Sequence, residues 1–158
     1  MPIHRNSGRI VQNRDGKVAR SGGPVCVACA NECPTDCSTC FTTYTVEIVS
    51  LSNPSTGCFI GTNCGDQLDG VTEVFVRGGG DSCTYTPQND LDSSLQCQDL
   101  AGTRYWTMAI ASPVVSICQL NFWALMTDVC EPCCPPVDVD KWTDVGGTCH
   151  GTISIVAS

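Results

Sequence analysis

The chain has 158 residues, a formal net charge of −8, 42% hydrophobic residues and fourteen cysteines. A chain of that length can bury a core without crosslinks, so this cysteine density indicates a disulfide scaffold that adds toughness as well as a fold. The even count suits full pairing, and paired cysteines persist only in oxidising surroundings, which excludes a reducing cytoplasm as the working address.

Residues 1–25 read as an extended basic N-terminal arm. Residues 1–23 hold Arg5, Arg9, Arg14, Lys17 and Arg20 against Asp15 alone, a net of +4. Residues 24–158 hold Arg77, Arg104 and Lys141 against fifteen acidic side chains, a net of −12. Such asymmetry marks an interaction tail. With only Ile3, Ile10, Val11 and Val18 as apolar anchors, the arm alone cannot offset its ordering entropy. Those four suit docking on a neighbour while the basic residues meet its carboxylates, so the arm reads as a strap between copies. An acidic body and an arm without aromatics argue against nucleic acid as the partner. The arm has no apolar stretch of the secretory kind, so release by lysis is the expected route out of the cell. The sequence also carries no N-glycosylation sequon, because Asn53-Pro54-Ser55 has the forbidden proline.

Residues 26–40 form a cysteine-rich knot, Cys26-x2-Cys29-x3-Cys33-x3-Cys37-x2-Cys40, with almost no apolar bulk. Residues 41–158 read as a single antiparallel β-sandwich, immunoglobulin-like or jelly-roll-like. Thr43 to Leu51 is β-branched and aromatic, with Tyr44, Val46, Ile48 and Ser50 on one face. Val71 to Arg77 and Ser82 to Thr86 flank Gly78-Gly79-Gly80-Asp81 as a hairpin. Pro87 to Gly102 reads as a long acidic loop pinned by Cys97. The uncharged run from Tyr105 to Thr127 is long enough to span a membrane. Its Ser112-Pro113 instead suits a turn between two strands, Arg104 to Ala111 and Val114 to Met126, and no membrane insertion is expected. Gly151 to Ala157 closes the domain. Alternation gives a candidate core of Tyr44, Val46, Ile48, Trp106, Met108, Ile110, Phe122, Ile153 and Ile155. No segment shows a sustained helical period.

The disulfide candidates are Cys26, Cys29, Cys33, Cys37, Cys40, Cys58, Cys64, Cys83, Cys97, Cys118, Cys130, Cys133, Cys134 and Cys149. Two CxxC pairs also offer a zinc alternative at Cys26, Cys29, Cys37 and Cys40. Cys33 does not fit a four-ligand count, and the nine cysteines downstream favour oxidation over metal. Cys133 and Cys134 are adjacent and so reach different partners. A Cys149–His150 nucleophile pair would need a thiolate that a half-cystine lacks. No GxSxG elbow or P-loop is present. The pairs Asp66/Asp69, Asp90/Asp92 and Asp138/Asp140 read as solvated loop charge, with extracellular calcium as the alternative. No catalytic residues and no cofactor are expected.

The opening SGRIV, DGKVAR, the cysteine run and YTVEIVSL resemble a type of small cysteine-rich protein found in environmental phages and aquatic bacteria such as planctomycetes. The resemblance covers the first fifty residues, a late Trp-bearing strand and the closing GxIxV strand. It implies a virion or cell-surface part and brings no catalytic residues. The reading is therefore a structural subunit of an extracellular assembly, foremost a bacteriophage capsid-decorating or tail-associated protein. Its expected partners are copies of itself and other structural subunits. The alternatives are a bacterial filament or surface-layer subunit and, in another class, a secreted glycan- or calcium-binding module.

Overall fold

The computed structural model describes residues 11–12, 17–19, 26–52, 65–113, 118–147 and 149–158. Three short strands come first: β1 (Val11–Gln12), β2 (Lys17–Ala19) and β3 (Cys26–Val27), joined antiparallel in that order. One piece of the basic arm, β2, thus pairs with the start of the cysteine cluster, and another, β1, pairs with β2. Of the arm residues singled out, Ile3, Arg5, Arg9, Ile10, Arg14 and Arg20 lie outside the described residues.

The body is one eight-stranded antiparallel sheet curled nearly into a barrel. Its strands are β4 (Thr43–Ser52), β5 (Thr72–Arg77), β6 (Tyr85–Pro87), β7 (Ser94–Leu100), β8 (Thr103–Ala111), β9 (Gln119–Leu125), β10 (Thr143–Gly147) and β11 (His150–Ala157). Their order is β10-β9-β8-β7-β6-β5-β4-β11, an up-and-down meander in which the last two strands of the chain lie at the two ends of the sheet. The expected pair of facing sheets is therefore corrected. Each strand from β4 to β9 pairs with its successor in the chain and β11 returns to β4, so no connection crosses to a second sheet. The helical elements described are one turn, α1 (Gly65–Leu68), and two 3-10 turns at Met126–Asp128 and Val139–Lys141.

Inward-facing side chains fill the interior, as an eight-stranded barrel of this kind requires. Tyr44, Val46, Ile48, Trp106, Met108, Ile110, Phe122 and Ile153 are buried, and Ile155 packs against them half-buried. Phe75, Leu95, Leu120 and Met126 join them, and Leu68 of α1 is fully buried. In β4 the alternation holds only to Ile48. A register shift follows, with Thr152 opposite Ser50 and Ile153 opposite Ile48. The extra residue, Val49, turns Ser50 outward, where its hydroxyl meets that of Thr152 at 2.6 Å, and Leu51 packs on the core instead.

The expected 87–102 loop contains β7. Ser94 to Leu100 carries mostly polar side chains, so only Leu95 is a buried apolar residue there. The hairpin of β5 and β6 forms, but its loop is longer than four residues: pairing begins at Arg77 and Tyr85. Arg77 organises that loop, its Nη1 donating to the carbonyls of Gly80 (2.6 Å) and Ser82 (3.3 Å).

The sheet is thin in two places. β6 and β7 share the single pair Tyr85–Leu95. At the ends of the sheet, the Asp144 carboxylate on β10 spans to β11, accepting from the Gly151 N–H (2.9 Å) and meeting His150 Nδ1 at 3.2 Å. The bulge between Asp144 and Gly146 aims it there. The barrel thus divides into two four-stranded halves, β11-β4-β5-β6 and β7-β8-β9-β10.

Gly151, paired with Leu51 across the β11–β4 ladder, has no room for a side chain. A Cβ there would lie 2.4 Å from the Ser50 carbonyl oxygen and 3.1 Å from Leu120 Cδ2. A backbone oxygen cannot move aside without breaking the ladder. Gly151→Ala should therefore lower stability by about 1–3 kcal/mol in chemical denaturation, whereas Gly79→Ala, whose Cβ would meet nothing within 4 Å, should leave the midpoint unchanged.

Candidate functional site

Antiparallel order sends Cys83, the 101–102 turn and residues 126–142 to the same end of the barrel as the start of β4. Residues 26–42 lie across that end and are bolted to it. Cys26 pairs with Cys130, Cys29 with Cys133, Cys33 with Cys97, Cys37 with Cys83 and Cys40 with Cys134. Each cysteine of the cluster therefore reaches a partner 46 to 104 residues away, and none pairs inside the cluster. Adjacent Cys133 and Cys134 go to different partners, Cys29 and Cys40. Cys118 and Cys149, at the opposite end, are disulfide-bonded as well. Cys58 and Cys64 lie outside the described residues.

Backbone hydrogen bonds make the lid continuous with the body. The Cys29 N–H donates to the Val129 carbonyl (2.9 Å), Glu131 N–H to Val27 (2.8 Å) and Cys37 N–H to Asp81 (2.9 Å). Asn31 receives the Arg104 N–H at 2.9 Å.

The core reaches up to the lid from below. Tyr44, Tyr85 and Trp106 form an edge-to-face chain with centroids 5.3 and 6.1 Å apart. Each polar tip ends on a carbonyl at this end of the barrel: Tyr85 Oη on Phe41 of the lid (3.3 Å), Tyr44 Oη on Pro135 (2.9 Å) and Trp106 Nε1 on Cys133 (3.1 Å), the last two in the 126–142 segment to which the lid is bolted. Trp142 Nε1 adds Pro136 at 2.9 Å. These aromatics bury large area and leave no ring donor unpaired under the lid. Burial pushes the Tyr44 phenol far up, with Tyr85 beside it adding to the effect, and burial raises Tyr85 too.

The four cysteines of the zinc alternative are placed in disulfides. Cys26, Cys29, Cys37 and Cys40 each hold a separate disulfide partner, so they present no thiolates to gather round an ion. Among the described residues no group of three or more His, Cys, Asp and Glu side chains is placed to hold a metal. Asp90 and Asp138 instead cap their own turns, accepting from Asp92 N–H (2.8 Å) and Asp140 N–H (3.1 Å). Asp66 is the second residue of α1 and Asp69 directly follows the helix. His150 faces Asp144 at the barrel ends, and Cys149, in a disulfide, has no thiolate to pair with it. Of the arm residues, Val11 is in β1 and Lys17 and Val18 are in β2. No described helix is long and apolar enough to cross a membrane.

Sequence reasoning missed Glu73. Its carboxylate is buried, 1% exposed, and it accepts from the N–H groups of Val74, Gln88, Asn89 and Asp90 at 2.9–3.0 Å. One side chain thereby fixes the loop between β6 and β7. The available signal was an acid on the inward row of β5, two residues before Phe75.

Comparison with protein-family models, with curated proteins and with solved structures gave no match.

Because Tyr44 and Tyr85 hold their protons more tightly folded than unfolded, their contribution is complete below about pH 10 and is lost as pH rises beyond it. The melting temperature should fall above that pH, and Tyr44→Phe should make the fall shallower. At neutral pH the same change should cost about 1 kcal/mol for the lost bond to Pro135. Thermal melts of both proteins from neutral to alkaline pH check this.

Proposed function

We propose that this chain is a non-catalytic structural subunit of an extracellular assembly, with a bacteriophage virion part as the foremost case. The observation that supports it best is the cross-bolting of residues 26–40 to the barrel by five disulfides. Each such bridge contributes about 2–4 kcal/mol, comparable to a large part of the roughly 5–15 kcal/mol net stability of an ordinary domain. A body of this size needs less than that to fold, so the excess goes into resistance: to proteases, to heat and to mechanical load. Disulfides also point to an oxidising setting. The resemblance of the first fifty residues to small cysteine-rich phage and aquatic bacterial proteins favours a virion over other extracellular structures, with a filament or surface layer as the nearest variant.

The charge division supplies the means of assembly. An arm of net +4 precedes the lid in sequence, and the rest of the chain carries net −12. Among the described residues, β1 pairs only with β2 and so presents an outer edge to a neighbouring chain. Exposed ion pairs contribute only about 0–1 kcal/mol each, so the strap gains strength from repetition over many copies and from Ile3, Ile10, Val11 and Val18. Oxidised protein should assemble with rising concentration, read by light scattering on a sizing column and by electron microscopy. Arg5, Arg9 and Arg14 changed together to Glu should shift the population to monomer, while Lys141→Glu, on an exposed 3-10 turn, should not. A native chain that stays monomeric throughout, or a triple variant that assembles like the native one, would contradict the proposal.

A further inference from the structure

The outer face of β7, β8 and β9 carries a shallow groove of about 150 Å³ whose lining contains no charged side chain. Trp123 forms one wall. It is 36% exposed and is steadied by Tyr105, whose ring centroid lies 5.3 Å away with the planes at 44°. Around it stand two carboxamides, Gln98 and Asn121, and two hydroxyls, Ser94 and Thr107. The Thr107 hydroxyl hydrogen is given to the Gln96 carbonyl at 3.1 Å, so toward the groove Thr107 offers an acceptor.

We propose that this groove binds one ring of a neutral sugar. A pyranose has an apolar C–H face and a rim of hydroxyls that both donate and accept. An indole face matches the first, and carboxamides, each with a donor and an acceptor in one plane, match the second. The groove lacks a cation to hold a phosphate, carboxylate or sulfate, and the acidic body repels all three. It lacks a carboxylate to hold an amine. Strand addition by a peptide is excluded at the centre of the groove, because β8 is laddered along its length to both β7 and β9. The volume is below the roughly 300–1,000 Å³ of sites that engulf drug-sized molecules, which suits a single ring at the surface of a longer glycan. Rigid paired strands carry every group, so the site needs no ordering on binding. On an extracellular subunit it would give each copy a weak hold on a glycan-coated surface, multiplied by the number of copies.

Saturation-transfer NMR on the oxidised full chain, with methyl glycosides of glucose, galactose, mannose and N-acetylglucosamine and with glucuronic acid, tests the site. Tryptophan emission provides a second readout, since Trp106 is fully buried, Trp142 nearly so, and Trp123 is the exposed indole. At least one neutral glycoside should bind at millimolar concentration and shift that emission, and glucuronic acid should not bind. Trp123→Ala and, independently, Gln98→Glu should each weaken binding by about tenfold or more while the near-ultraviolet spectrum shows the core intact. The proposal is overturned if no neutral glycoside binds, if both variants bind as the native chain does, or if glucuronic acid binds equally well.

Discussion

The structure depends on a covalent crosslink across a thin place in one sheet. β6 and β7 meet through a single residue pair, which is too little ladder to hold two four-stranded halves in register. The cysteine cluster bridges that place covalently. Cys37 holds Cys83 on the β5–β6 side, and Cys33, four residues earlier, holds Cys97 in β7. Cys26, Cys29 and Cys40 then fasten the same segment to residues 130–134, which lead into β10. A segment with almost no apolar bulk thereby becomes the most constrained part of the molecule. Its entropy cost is met by the bridges rather than by burial.

The other features follow from having such a lid. The segment 133–136 to which the lid is bolted also runs over the barrel end, and its carbonyls need donors; Tyr44, Trp106 and Trp142 supply them from inside at 2.9–3.1 Å. The second thin place, between β10 and β11, has Asp144 in place of a ladder, and the disulfide-bonded Cys149 lies next to it. Between β6 and β7 the buried Glu73 fixes the connecting loop with four N–H bonds. Polar side chains and sulfur thus act where the backbone pairing is weakest. A fold secured in this way resists local opening.

Much of the β-body was legible because alternation is a local signal. Tyr44-Val46-Ile48 and Trp106-Met108-Ile110 each declare a face, and both rows are buried. The signal failed where the residues were polar on both faces. β7 reads SLQCQDL and β10 reads TDVGG, and both are held by neighbours rather than by their own apolar periodicity. The choice between two facing sheets and one curled sheet is not written in any strand, since both use the same alternation; it lies in the order of pairing. Disulfide partners are equally hidden, because fourteen cysteines give no local cue to connectivity. The groove beside Trp123 draws Gln98, Thr107 and Asn121 from three strands, so only the register of β7, β8 and β9 assembles it.

The most direct measurement is non-reducing peptide mapping by mass spectrometry after alkylation of free thiols. The account predicts that Cys33 is recovered linked to Cys97 and Cys37 to Cys83, with no alkylated cysteine between residues 26 and 40. Recovery of links within the cluster, such as Cys26 to Cys29, or of alkylated thiols there, would contradict it and would remove the clamp on which the barrel and its proposed role depend.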